Sequence, residues 1–162
     1  MRSTLSTSTT GASSARSTPT PRNSALLILP APLKTQLFVL ARTAHPRECC
    51  GLLEGVREGE AVRVTALYPS PNLSPTPETA FEIDPALHFA LQRNLRGTGR
   101  SVVGCYHSHP TGKAEPSPRD RANGCEAGWI WVILATGVII EGAPSLGAFL
   151  APGFELQAIA TT

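Results

Sequence analysis

A chain of 162 residues with 41% hydrophobic side chains and a formal net charge of +2 is long enough for one domain that buries its own core without disulfide or metal staples. So small a charge does not argue for nucleic acid as a partner, and no Lys/Arg cluster with interleaved aromatics occurs. The longest apolar stretch, residues 129–140, contains Thr136 and Gly137 and is too short to span a bilayer, so no membrane partner is expected.

Residues 1–24 are rich in Ser and Thr and hold Arg2, Arg16 and Arg22 with no acid, so they carry +3 and the remainder carries −1. The apolar segment of a secretory signal is missing, and no amphipathic pattern supports an organellar transit peptide. This stretch is expected to be a disordered leader, 1–24, ahead of a single domain over 25–162. An over-extended start site would give the same composition.

Ordered structure is predicted to begin with a short apolar strand at 25–29, bounded by Pro30. Over 32–44, Leu33, Leu37, Leu40, Ala41 and Ala44 recur at helical spacing and give one apolar stripe. His45-Pro46 ends that helix, because the residue before proline is pushed out of the α region. A buried strand at 50–53 and a turn through 57–60 lead to an alternating hairpin partner at 62–68. Residues 69–79 hold four prolines and read as a loop, of a length more often functional than idle. A brief strand is predicted at 81–83. Asp84 then caps a helix with Pro85 in its first turn and Leu87, Leu91 and Leu95 on one stripe, ending by Gly97. Further strands are predicted at 101–107 and 129–135, with shorter ones at 137–140, 149–150 and 154–159. Strands interleaved with two or three helices make a single α/β or α+β domain.

Cys49, Cys50, Cys105 and Cys125 show no Cys-x-x-Cys spacing. They read as small buried hydrophobes in a reducing compartment, which places the chain in the cytoplasm. Their spacing matches no zinc ribbon or finger.

The chemistry concentrates in His107-Ser108-His109-Pro110 and, six residues on, Ser117-Pro118-Arg119-Asp120. Two imidazoles and a carboxylate suit zinc. If His107 and His109 close a strand, their i, i+2 spacing points both rings to one face, and Asp120 returns from the next element as a third ligand. Three protein ligands leave the fourth tetrahedral position to water, as in a catalytic rather than a structural site. Ser117 and Asp120 also form a capping box with Pro118 at the first helical position, and that role needs no catalysis. The two are compatible, because a capped first turn fixes the direction of Asp120. Amide hydrolysis further requires a base for the water and an acid for the leaving amine. Glu48, Glu54, Glu58, Glu60, Glu78, Glu82 and Asp84 are the upstream candidates, with Glu48 slightly favoured by its place just before a buried strand. His45 and His88 are not preferred as ligands.

Pro46-Arg47-Glu48-Cys49-Cys50-Gly51-Leu52-Leu53-Glu54-Gly55, with the later His-Ser-His-Pro and Ser-x-x-Asp, resembles the JAMM/MPN+ metalloprotease family. Asn72-Leu73-Ser74-Pro75 and Phe81-Glu82-Ile83-Asp84-Pro85 are similar to segments of its compact prokaryotic members. The resemblance runs over 46–135 and implies a cytidine-deaminase-like mixed β-sheet flanked by helices. It implies one Zn2+ per chain on His107, His109 and Asp120. By the same resemblance Glu48 takes the proton of the attacking water and delivers it to the departing amine, while Ser117 donates to the carbonyl oxygen as it becomes an oxyanion. Ser108 faces the other way and reads as structural. The implied substrate is a ubiquitin-like or sulfur-carrier β-grasp protein cut at its C-terminus. The leader and the Pro-rich stretch before residue 80 have no clear counterpart, and the oligomeric state is open. Two other readings stand beside this one. A non-catalytic MPN scaffold is disfavoured by the retained ligand set. A zinc nucleobase deaminase is disfavoured because the Pro-Cys-x-x-Cys of that chemistry is missing.

Overall fold

The computed structural model describes residues 26–124, 126–136 and 144–162. The leader at 1–24, Cys125 and the strand predicted at 137–140 lie outside the described residues. Among the described residues eight strands and three helices follow in the order β1 (Leu26–Ile28), α1 (Ala31–Ala44), β2 (Cys50–Glu58), β3 (Ala61–Ser70), α2 (Pro85–Asn94), β4 (Ser101–His109), α3 (Pro118–Asn123), β5 (Ile130–Ala135), β6 (Ser145–Leu150), β7 (Glu155–Leu156) and β8 (Ile159–Ala160). The strands form one mixed sheet, ordered β7-β6-β5-β4-β2-β3-β1-β8. This is the α/β architecture expected, with helices against both faces. Among the described residues no helix is long and apolar enough to cross a membrane.

The central strands read as nearly continuous apolar runs because both faces of the sheet are covered. Every residue of β5 is buried. Ile130, Val132 and Leu134 join Leu53, Val64 and Tyr106 in a core with Leu37 and Ala41 of α1. Trp131 and Ile133 face the other way and pack with Leu52, Cys105 and Leu91 of α2.

One irregularity in β4 decides where its histidines point. Leu53 pairs with Gly104 and Glu54 with Val102, so Val103 is an extra residue, a β-bulge. Val102 and Val103 occupy opposite faces, but beyond the bulge the phase is reversed. Cys105 lies in the α2-side core and Tyr106 in the α1-side core. His107 and His109 therefore emerge on the α2 side, at the carboxyl end of β4.

Three expectations need correction. The strand begun at Cys50 continues to Glu58, because the hairpin partner β3 pairs along its whole length. Residues 81–83 form no strand; only the isolated bridge from Asn72 to Ile83 remains. There the Asn72 side chain, instead of a ladder, accepts from the Glu82 N–H at 3.1 Å. The last predicted strand, 154–159, divides into two pieces on opposite edges of the sheet. β7 pairs with β6, and β8 pairs with β1. Only residues 157 and 158 separate those pieces, and they donate to and accept from opposite edges, Gln157 N to Ala148 O and Leu27 N to Ala158 O. So short a link spans roughly 10 Å, which requires the sheet to curl until its edges approach each other.

Candidate metal centre

β4 runs two residues past the predicted 101–107 and closes on His109, so the i, i+2 spacing of His107 and His109 puts both rings on one face, and α3 in the crossover to the parallel strand β5 returns Asp120 to them. Asp120 is fixed by its own helix start. The Ser117 Oγ accepts from the Asp120 N–H at 3.1 Å, while the Ser117 N–H and O–H both donate to Asp120 Oδ2 at 2.7 Å. The capping box is therefore complete, with Pro118 in the first turn.

The ring orientations are equally determined. His107 is fully buried, stacked on Phe81 with centroids 4.3 Å apart, and meets the edge of Trp131 at 5.9 Å. His109 Nδ1 lies 2.9 Å from the Lys113 carbonyl. A carbonyl can only accept, so Nδ1 carries the proton and the His109 Nε2 lone pair is free to ligate. The His107 Nδ1 has no hydrogen-bond partner among the described residues, so its ring is held by stacking.

Three ligand atoms converge. The two Nε2 atoms are 3.0 Å apart, Asp120 Oδ1 is 3.4 Å from His107 Nε2, and Asp120 Oδ2 is 3.5 Å from His109 Nε2. A tetrahedral ion with arms of 2.0–2.1 Å has ligand–ligand edges of about 3.4 Å. The residues fit zinc in type and in spacing, and they are the group among the described residues placed to hold a metal ion. Burial pushes the His107 ring below its ordinary pKa. For His109 burial acts the same way, but Asp120 and the Lys113 carbonyl outweigh it and raise the ring. Burial alone would raise the Asp120 carboxyl; contacts with both imidazoles and with Ser117 instead hold it far below the usual carboxylate range.

Glu48 sits just before β2 and is buried. Its N–H donates to the Pro77 carbonyl at 2.7 Å, and its own carbonyl accepts from Asn72 Nδ2 at 3.1 Å. Burial pushes its carboxyl up to about 7. With Ser117, Arg119, Asp120, Thr79 and Phe81 it lines one small cavity. The structure thus brings all five residues singled out in the sequence, Glu48, His107, His109, Ser117 and Asp120, to one place.

Asn72 organises the Pro-rich loop above this cavity. Besides Glu48, its amide donates to the Ala80 carbonyl at 2.9 Å, and its oxygen accepts from the N–H groups of Ser74 and Glu82. Sequence reasoning identified the loop and not this role. Phe81, Trp131 and the Lys113 carbonyl were likewise missed as supports of His107 and His109. Ser108, as expected, faces away, and its Oγ accepts from the Cys49 N–H at 2.9 Å.

The other carboxylates lie elsewhere. Glu58 pairs with Arg63 at 3.7 Å, Asp84 caps α2, and Glu60, Glu78 and Glu82 are exposed. Glu54 is buried in mid-strand, between Val103 of the β4 bulge and a second bulge at Thr65 in β3. It accepts from Thr65 Oγ1 at 2.9 Å, Tyr68 Oη at 2.8 Å and Arg100 at 2.8 Å. Burial would raise its carboxyl, but Tyr68, Thr65 and Arg100 together hold it below the usual value. Glu54 is a structural anchor. Glu54→Gln should lower unfolding stability by about 2–4 kcal/mol, since a buried charge-assisted network is broken. Because the folded carboxyl is held low, its contribution is complete above the unfolded value near 4.3 and fades as pH falls toward the folded one. Urea denaturation of both forms should show their difference shrinking below about pH 4. A constant difference would remove Glu54 as the source.

His45 is exposed, and His88 hydrogen-bonds Gln92 at 3.1 Å on α2. Cys49, Cys50 and Cys105 are free thiols, and burial pushes Cys50 and Cys105 up to about 12, which leaves them unreactive.

The chain is similar to known proteins. The chain is 35% identical over 88 residues to a desampylase of Haloferax volcanii, covering 54% of this chain and 62% of that protein. It is 39% identical over 107 residues to a protein of Thermus thermophilus named a probable TtuB-protein conjugate cleaving protease, covering 66% of this chain and 64% of that protein. The chain thus spans a little under two thirds of the curated relatives it matches. The solution structure of a protein from Desulfitobacterium hafniense superimposes with a TM-score of 0.73 at 28% identity, covering 84% of this chain and 92% of that one. Residues 30–145 match the model of the prokaryotic homologs of the JAB domain. Since that match covers most of the chain and takes in Glu48, His107, His109 and Asp120, this chain belongs to the prokaryotic branch of the JAB (JAMM/MPN) family.

Proposed function

We propose that this chain is a zinc-dependent hydrolase that cuts an amide bond at the C-terminus of a ubiquitin-like or sulfur-carrier β-grasp protein. The observation that carries this reading is the convergence of His107, His109 and Asp120, with separations of 3.0–3.5 Å, beside the buried Glu48. The name of the Thermus thermophilus relative, a protease that cleaves a protein conjugate, supports a conjugate as substrate. A scaffold would have no need of three ligands with matched edges. The ligand set, with Asp120 where a deaminase has cysteines, disfavours nucleobase chemistry.

When bound, zinc supplies a Lewis acid that lowers the pKa of water toward 7 and polarises the scissile carbonyl. The protein supplies the rest. Glu48 accepts a proton from the attacking water and returns it to the leaving nitrogen; a carboxyl whose burial favours its neutral form is suited to hold that proton between the two steps. Ser117 donates to the carbonyl oxygen as charge develops there. Its O–H is directed at Asp120 Oδ2, so it must turn toward the substrate, leaving the Ser117 N–H to hold Asp120. Phe81, stacked on His107, walls the cavity and keeps one ligand dry.

The test is direct. The purified protein is incubated with a β-grasp carrier bearing a C-terminal extension, with zinc and with chelator, and the product mass is read. The expected result is loss of the extension with zinc and none with chelator. Zinc-loaded protein that leaves every such carrier intact, or a chelated sample that cuts equally well, overturns the reading.

A further inference from the structure

We propose that Arg119 is a specificity-determining residue that binds a free carboxylate on the leaving-amine side of the scissile bond, so that the favoured leaving group is an α-amino acid. This rests on the hydrolase reading above and goes beyond it, because it distinguishes trimming of a terminal residue from release of a lysine side chain.

Arg119 lines the same small cavity as Glu48, Ser117 and Asp120. It is exposed, and among the described residues no hydrogen bond or ion pair to it is seen, whereas Arg121, two positions on, lies over the Phe154 ring at 5.6 Å. Its place is set rigidly. It stands between Pro118 and Asp120 in a first turn closed by the capping box, so its backbone moves only if Asp120 does. Its charge is also felt at Glu48, where it opposes the upward pull of burial.

The chemistry of the leaving group then follows. In hydrolysis the water oxygen bonds to the carbonyl carbon and the C–N bond breaks. Glu48 carries one proton from the water to the nitrogen, and the new carboxylic acid loses the second to the released amine, so the carrier is left with a carboxylate and the leaving group with an ammonium. The leaving nitrogen must therefore come within reach of Glu48, in the cavity that Arg119 also lines. In an α-amino acid a free carboxylate is two bonds from that nitrogen, within reach of a guanidinium fork. In a lysine conjugate the nitrogen is the ε-amine, and the groups several bonds away are uncharged backbone. Only the first leaving group presents an anion to Arg119.

The experiment compares three substrates built on one β-grasp carrier: a single-residue extension ending in a free acid, the same extension ending in carboxamide, and a lysine isopeptide. Two quantities are read, kcat/KM for cleavage and Kd for the acid and amide forms bound to zinc-loaded Glu48→Gln protein. The wild type should favour acid over amide by about 10–100-fold, the scale of a charge-assisted bidentate contact. Arg119→Ala should abolish that preference, bringing the acid-to-amide ratio to about 1 in both kcat/KM and Kd with zinc content unchanged; the position is exposed, so folding is preserved. Arg119→Lys should restore part of the preference. Equal handling of acid and amide by the wild type overturns the proposal. So does a preference that survives Arg119→Ala, since the metal centre itself would then be reading the carboxylate. If nothing is cleaved, the hydrolase reading fails separately, and the Kd comparison still decides for or against Arg119.

Discussion

Glu48→Gln lowers kcat by about 10²–10⁴-fold, the range supplied by one general acid–base group, while zinc stays at one ion per chain. The reasoning is geometric. Glu48 lines the cavity above Asp120 and is held from behind, through its backbone, by Pro77 and Asn72. Gln has the same shape and is neutral, so it neither collapses the cavity nor disturbs the ligands, and only the proton carrier is lost. Steady-state kinetics with elemental analysis on the same sample checks both halves. Normal turnover would eliminate Glu48 as the base, and loss of zinc would make it a ligand.

His107→Ala removes metal and activity together. Zinc affinity should fall by more than about 100-fold, since losing a mere outer-shell partner already costs 10–100-fold. His107 is fully buried between Phe81 and Trp131, so no water-exposed side chain can take its place, and the variant leaves a void in the α2-side core. Competition with a chromogenic chelator measures the affinity, and thermal unfolding with and without zinc measures the coupling. Wild-type protein should gain stability on adding zinc, as any ligand of the folded state alone provides, and the variant should gain none. A variant that still binds one ion tightly would move the metal site elsewhere.

The candidate site was legible because its constraints are local. The spacing of His107 and His109 encodes a shared face, and Ser117 with Asp120 encodes a helix start, whatever surrounds them. The Asp84 cap of α2 was readable for the same reason, and its side chain accepts from the Ala86 N–H at 2.8 Å as expected. Glu48 was different. Residue type left it only slightly ahead of Glu54, and family resemblance, not residue chemistry, selected it. The structure separates the two physically: Glu54 is saturated by Thr65, Tyr68 and Arg100, while Glu48 faces the cavity of the ligands.

Local pattern alone, then, located most of the elements, the candidate ligands His107, His109 and Asp120, and the capped turn carrying Asp120, because each depends on contacts within a few residues. Which face of the sheet receives the histidines was decided by the bulge at Val103, and a bulge exists only as a mismatch between β4 and its partner β2. The stacking of Phe81 on His107 and the grip of Asn72 on the loop join residues far apart in the chain. The division of the last strand between two sheet edges arises because the sheet curls, which no single strand encodes. Non-local pairing sets these features, and a one-dimensional pattern carries no record of the partner.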